Sequence, residues 1–171
     1  MIEAVFTFVF LSLCIYAALR DVETLTITNG LNLTIAFLFF PAMIIAAPGW
    51  DVFGAHLATG AIAFLISVLL FAFGVFGGGD AKMIPGVMLW LGPEATIPFL
   101  TAMAMVGGLL AIFVILARRF VPAGAAPGFA LETLQAGNGV PYGVAIAGGA
   151  IYSASTSPLL TSINFITVLG S

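Results

Sequence analysis

Two residues in this chain have the type and setting to do chemistry: Asp21 and Asp80. Two carboxyls held close together cannot both ionise easily, so one of them keeps a proton. The ionised partner can then take a proton from water while the protonated one polarises an amide carbonyl. That is general acid–base peptide hydrolysis without a metal or a covalent intermediate. By spacing alone a plainer reading stands beside this one, with Asp21 a solvated charge at a helix end and Asp80 a helix N-cap. Other hydrolytic chemistries find little support. The chain holds no Gly-x-Ser-x-Gly, no His-Glu-x-x-His, one histidine (His56) and one cysteine (Cys14). A single cysteine excludes an intrachain disulfide and a paired-cysteine zinc site, and no metal or other cofactor is expected.

The elements that must position these acids are membrane helices. Of the 171 residues, 62% are hydrophobic and 6% charged, against about 25% charged in a usual soluble domain. Mean hydropathy is +1.24. The long runs are apolar at every position, not at alternate ones, which favours spanning helices over barrel strands. Hydropathy places helices at about Ile2–Leu19, Leu33–Ala47, Phe53–Phe76, Ala81–Leu91, Thr96–Ala117 and Val140–Ser155. The first run has no basic stretch before it and no small-residue cleavage site after it, and reads as a membrane helix. Asp21 falls just past the first helix, and Gly77-Gly78-Gly79 is expected to stop the third. The segment Phe120–Gly139, rich in Gly, Pro and Ala, is the longest stretch outside the membrane. Beyond Pro158, the tail 159–171 either extends the last helix or lies in the interface. The fold class is therefore all-α: one membrane-embedded bundle over residues 1–171, of about six transmembrane helices, with no separate soluble domain. The fourth helix, Ala81–Leu91, is only about 16 Å long at 1.5 Å per residue, against a hydrocarbon core of about 30 Å. Its start, at Asp80, is expected to sit in a recess open to water.

The basic residues are Arg20, Lys82, Arg118 and Arg119. With these spans all four fall after helices one, three and five, on one side of the membrane, which should be cytoplasmic. Glu3, Asp51, His56 and Glu94 fall on the other, and the N-terminus is expected outside. Both aspartates share the basic side. A transporter that binds ions or protons at Asp21 and Asp80 is the rival from another class. Its acids would be expected near mid-membrane, whereas these lie at helix ends. A non-catalytic assembly subunit is a third possibility. Net charge is −3, and nothing suggests a nucleic-acid partner.

Local context favours the peptidase. Three glycines precede Asp80, and glycine lets a backbone turn sharply and approach another chain closely. Gly77-x-Gly79-Asp80, with Lys82 two residues on, resembles the GxGD motif shared by type IV prepilin peptidases, archaeal preflagellin peptidases and presenilin-like proteases. Asp21 through Asn29 is similar to the prepilin peptidase pattern in which the first catalytic Asp precedes Ile-Pro-Asn by six residues, with Thr28 where the proline is usual. Gly78 to Lys82, Leu89-Trp90-Leu91-Gly92, and Val140-Pro141-Tyr142-Gly143 through Ala147 also resemble the family. Together these blocks look like the small single-domain prepilin peptidases of tight-adherence (Flp-type) pilus systems.

The resemblance implies an aspartic endopeptidase of the inner membrane with Asp21 and Asp80 as catalytic acids and Gly77 and Gly79 as motif glycines. Lys82 matches a common family position, with charge pairing and a phospholipid-facing role both open. The implied substrate is a prepilin-like precursor with a short basic leader before a hydrophobic helix, cut at the cytoplasmic face and passed to pilus assembly machinery. Preflagellin cleavage is the nearest alternative within the class. Larger relatives carry a cytoplasmic domain with paired cysteines; none is expected here. Glu23 and Glu132 could attract a basic leader. His56 reads as an interface residue, Cys14 as packing, and Arg118 and Arg119 as topology signals. Gly74/Gly78 and Gly139/Gly143 have helix-packing spacing, and Asn29, Asn32 and Asn138 read as turn or cap residues.

Overall fold

The computed structural model describes residues 2–121, 127–135 and 137–161. Among these the chain is all-helical. Four helices are long and apolar enough to cross a membrane: α1 (Ile2–Thr24), α2 (Asn29–Ala46), α3 (Trp50–Ala72) and α5 (Thr96–Phe120). Two more, α4 (Asp80–Leu91) and α7 (Tyr142–Ser153), have 12 residues each. With them the six expected helices are accounted for in the expected order. Two single turns complete the chain, α6 (Leu131–Leu134) within the expected extramembrane stretch and α8 (Pro158–Thr161). The rest of the expected tail lies outside the described residues.

The long helices turn apolar side chains outward, among them Phe8, Phe37, Ile66 and Phe113. Such an exterior suits lipid, where each helix satisfies its own backbone. The short α4 is the opposite case. Nine of its 12 residues are buried, packed against α2, α3 and α7 and touched by Phe10 of α1. Trp90 anchors it, stacked on Phe10 with ring centroids 4.7 Å apart and meeting Phe39 edge-on at 6.1 Å.

Polar contacts fix α4 along its length. The last carbonyls of a helix have no partner within it. Here His56 donates from Nδ1 to Leu89 O at 2.7 Å, and Ser157 Oγ donates to Trp90 O at 3.0 Å. Trp90 Nε1 donates to Ile35 O at 2.8 Å. His56 is thus 1% exposed within the bundle and is no interface residue; it holds the C-terminal end of α4.

Three helix ends differ from expectation. The first helix runs on to Thr24, because Arg20 pairs with Glu23 one turn later and Thr24 Oγ1 donates to Arg20 O. Charges that read as loop in the sequence therefore belong to the last turn. The second starts at Asn29, with Thr28 as its N-cap accepting from Leu31 N–H. The third ends at Ala72, before the triple glycine. Gly74, at φ +72°, closes it with Gly74 N–H bonded to Phe71 O and Val75 N–H to Leu70 O, the paired pattern of a glycine C-terminal motif.

Gly92 ends α4 at φ +72°, and a Cβ there would lie 2.6 Å from His56 Cε1 and Nε2. Gly92→Ala is expected to destabilise the detergent-solubilised protein by more than about 1 kcal/mol, read as a lower thermal midpoint. Gly108→Ala, on an exposed face of α5 with open space around it, should leave the midpoint unchanged or raise it by up to about 1 kcal/mol. Equal effects would show that His56 does not press on the end of α4.

Candidate active site

Asp21 sits in the last turn of α1 and is 5% exposed. The sequence places it past the helix; the structure places it inside, facing the bundle. Its Oδ2 accepts a hydrogen bond of 2.7 Å from Gly143 N–H, at the start of α7. A free N–H at a helix start is a ready donor to an anion. Pro141 precedes this turn and cannot donate, so the helix opens with exposed donors beyond it.

Asp80 opens α4. A methyl group on Gly77 would lie 3.2 Å from Asp80 Oδ2, so the motif glycine lets the chain fold close over the carboxyl. Gly79 serves a different contact. A Cβ on it would lie 3.1 Å from Ile27 Cβ, 3.2 Å from Ile27 N and 3.3 Å from Ile27 O. On the other side, a Cβ on Gly143 would lie 3.1 Å from Ile27 Cδ1 and 3.0 Å from both Asp21 Cβ and Asp21 Oδ2. Ile27, buried between α1 and α2, is therefore the spacer that the starts of α4 and α7 both rest against. Leu25 turns the chain towards it with a left-handed backbone, φ +49°, a conformation that costs roughly 1–2 kcal/mol for a side chain with a Cβ.

Burial and the nearby Asp21 charge push the Asp80 carboxyl up to about 7, with a backbone hydrogen bond from Gly77 opposing them. The two acids that the sequence singles out are thus brought together in the folded chain itself. Removing water strengthens the repulsion between them, and that makes one of the pair hold a proton near neutral pH.

The other expected site residues surround the pair without joining it. Lys82 is exposed and donates from Nζ to Asn29 Oδ1 at 2.8 Å, linking the starts of α4 and α2. Glu23 is exposed and bonded to Arg20 at 3.0 Å. Arg118 caps Thr133 O and Gly139 O, and Thr133 Oγ1 donates to Val22 O. The last turns of α1 and α5 and the first turns of α2 and α4 therefore share one end of the bundle. All four basic residues lie at that end with both aspartates, and His56 marks the other. Gly143 as the partner of Asp21 is missed by sequence reasoning; its block is visible, and Pro141 before a glycine is the signal that a helix start with free N–H groups lies there. Asn32 is neither a turn nor a cap. It lies inside α2, buried, and donates from Nδ2 to Gly79 O at 3.2 Å.

Residues 8–112 match the type IV leader peptidase family. The chain belongs to that family. The matched stretch includes both aspartates and the triple glycine, and ends before α7. No curated protein and no solved structure matches the chain. As a leader peptidase in a helical membrane bundle, it needs a group that activates water and a group that polarises an amide. The pair of the buried Asp21 and the half-buried Asp80 can supply both.

Gly143→Ala and Gly79→Ala test this packing. Each methyl would press on Ile27, and the first also on Asp21. Both variants are expected to insert normally and to lose cleavage by about 10²-fold, the loss typical of a displaced catalytic group. Wild-type rates in membranes from both variants would show that neither contact positions the acids.

Proposed function

We propose that this leader peptidase is an aspartic endopeptidase of the inner membrane. It removes the short basic leader of prepilin-like precursors at the cytoplasmic face. The observation that carries this reading is the meeting of the buried Asp21 with the half-buried Asp80, whose carboxyl is raised to about 7.

Asp21 acts as the base. Its Oδ2 already accepts the Gly143 N–H, a bond that a carboxylate accepts best. Asp80 acts as the acid, donating its proton to the scissile carbonyl while Asp21 takes one from the attacking water. A tetrahedral intermediate forms. Asp21 then returns a proton to the leaving amine as the C–N bond breaks. Both carboxyls end as they began after one proton exchange with solvent. The glycines support this reading, because a side chain at Gly77 would press on the Asp80 carboxyl.

Charge supports the cytoplasmic face. Arg20, Lys82, Arg118 and Arg119 share the end of the bundle that holds the acids, and basic residues favour the cytoplasmic side. Glu23, exposed at that end, offers a carboxylate to a basic leader. The precursor's own apolar helix keeps it in the bilayer, with its leader junction at the depth of the pair. The released pilin would pass to pilus assembly machinery.

Asp80→Asn and Asp21→Asn should each reduce cleavage of a basic-leader pilin precursor by about 10²–10⁴-fold, with expression and insertion unchanged. Wild-type activity should fall as pH rises through about 7, because Asp80 then loses the proton it donates. Full processing by either variant, or a rate that climbs steadily from pH 6 to pH 9, would rule the mechanism out.

A further inference from the structure

Asn32 is 5% exposed, lies inside α2, and reaches across to α4. Its Nδ2 donates to Gly79 O, and its Oδ1 is buried with no hydrogen-bond partner. Gly79 precedes Asp80 and is pressed against Ile27. Its carbonyl also receives the N–H groups of Met83 and Lys82.

A buried carboxamide with half its capacity unmet is costly, while an apolar side chain of the same shape would avoid that cost. Packing therefore does not account for an asparagine here. Nor does helix formation, since Asn is a weak helix former away from caps. What the amide alone supplies is an N–H donor aimed at the carbonyl next to Asp80. Its neighbours on α2 bind α4 further along, as acceptors: Asn29 accepts from Lys82, and Ile35 O accepts from Trp90.

We infer that Asn32 is a positioning residue of the peptidase, whose side-chain N–H holds the Gly79 carbonyl and so sets the Asp80 carboxyl opposite Asp21. The inference rests on the aspartic reading above. Asn32 touches neither the substrate nor the reacting atoms; it acts through Gly79. The ionisable groups at this end are Arg20, Asp21 and Glu23 on α1, Asp80 and Lys82 on α4, Arg118 and Arg119 on α5, Glu132 on α6 and Tyr142 on α7, and α2 itself carries none.

Two variants of the full chain, in native membranes, separate this role from simple packing. Asn32→Leu keeps the shape and removes the donor. Asn32→Asp restores a donor only while the new carboxyl is protonated. The probe is a precursor with a short basic leader ahead of an apolar helix, assayed from pH 5 to pH 9. Asn32→Leu should lower kcat by about 10²-fold with KM little changed. The rate of Asn32→Asp relative to wild type should approach one at acid pH and fall to the level of Asn32→Leu at alkaline pH. A folded Asn32→Leu with wild-type kcat would overturn the inference, as would an Asn32→Asp ratio that stays flat with pH. Should Asn32→Leu fail to fold, Asn32→Asp carries the test alone, because its two protonation states are compared in one preparation. If the wild type does not cut the probe, the aspartic reading fails and the inference with it. If the wild type cuts and both variants match it, only the role of Asn32 is lost.

Discussion

A helix of 12 residues cannot cross a bilayer, and that shortfall decides where Asp80 sits. At 1.5 Å per residue α4 covers about 18 Å of a hydrocarbon core of about 30 Å. Surrounded by α1, α2, α3 and α7, it has its ends shielded by protein. One end is sealed by His56 and Ser157, which take up the carbonyls of Leu89 and Trp90. The other carries Asp80 to Asp21, the buried residue in the last turn of α1. An ionisable group in such a place is costly. Here a proton held by one acid of the pair offsets that cost, and under the proposed mechanism that proton is the one donated to the amide.

Close approach makes the pair possible. Ile27 stands between the starts of α4 and α7, and glycine faces it from both sides, Gly79 and Gly143. Any larger residue at either position would move one acid relative to the other. The bond from Gly143 N–H then orients Asp21, and the bare Gly77 lets the chain pass close beside the Asp80 carboxyl. The short helix, the glycines and the N-terminus of α7 thus serve one geometric purpose from three distant parts of the chain. α7 does so although it lies outside the stretch that matches the family.

Much of this was legible before any coordinates. Apolar runs and turn residues reveal the six helices and their order, because lipid demands long uniform stretches. Asp21 and Asp80 stand out because so few charges exist to compete with them. What hydropathy blurred were the ends. Arg20 and Glu23 look like loop in a hydropathy profile, yet they pair across one helical turn and carry α1 past Asp21. Gly74 ends α3 before the conspicuous triple glycine, since a left-handed C-terminal turn depends on local backbone geometry and not on glycine number. His56 and Asn32 were misread for one reason. A polar residue flanked by apolar ones suggests a boundary or a cap, and only the fold reveals the carbonyl across the interface that each one meets.

Asp21 and Asp80 feel each other's charge where the bundle excludes much of the water. Titrating the Asp80 carboxyl by isotope-edited infrared spectroscopy, in wild type and in Asp21→Asn, tests it most directly. The account predicts a wild-type midpoint of about 7 that drops clearly once the Asp21 charge is removed. A midpoint near that of an ordinary carboxyl in the wild type, or one unmoved by the substitution, would contradict it.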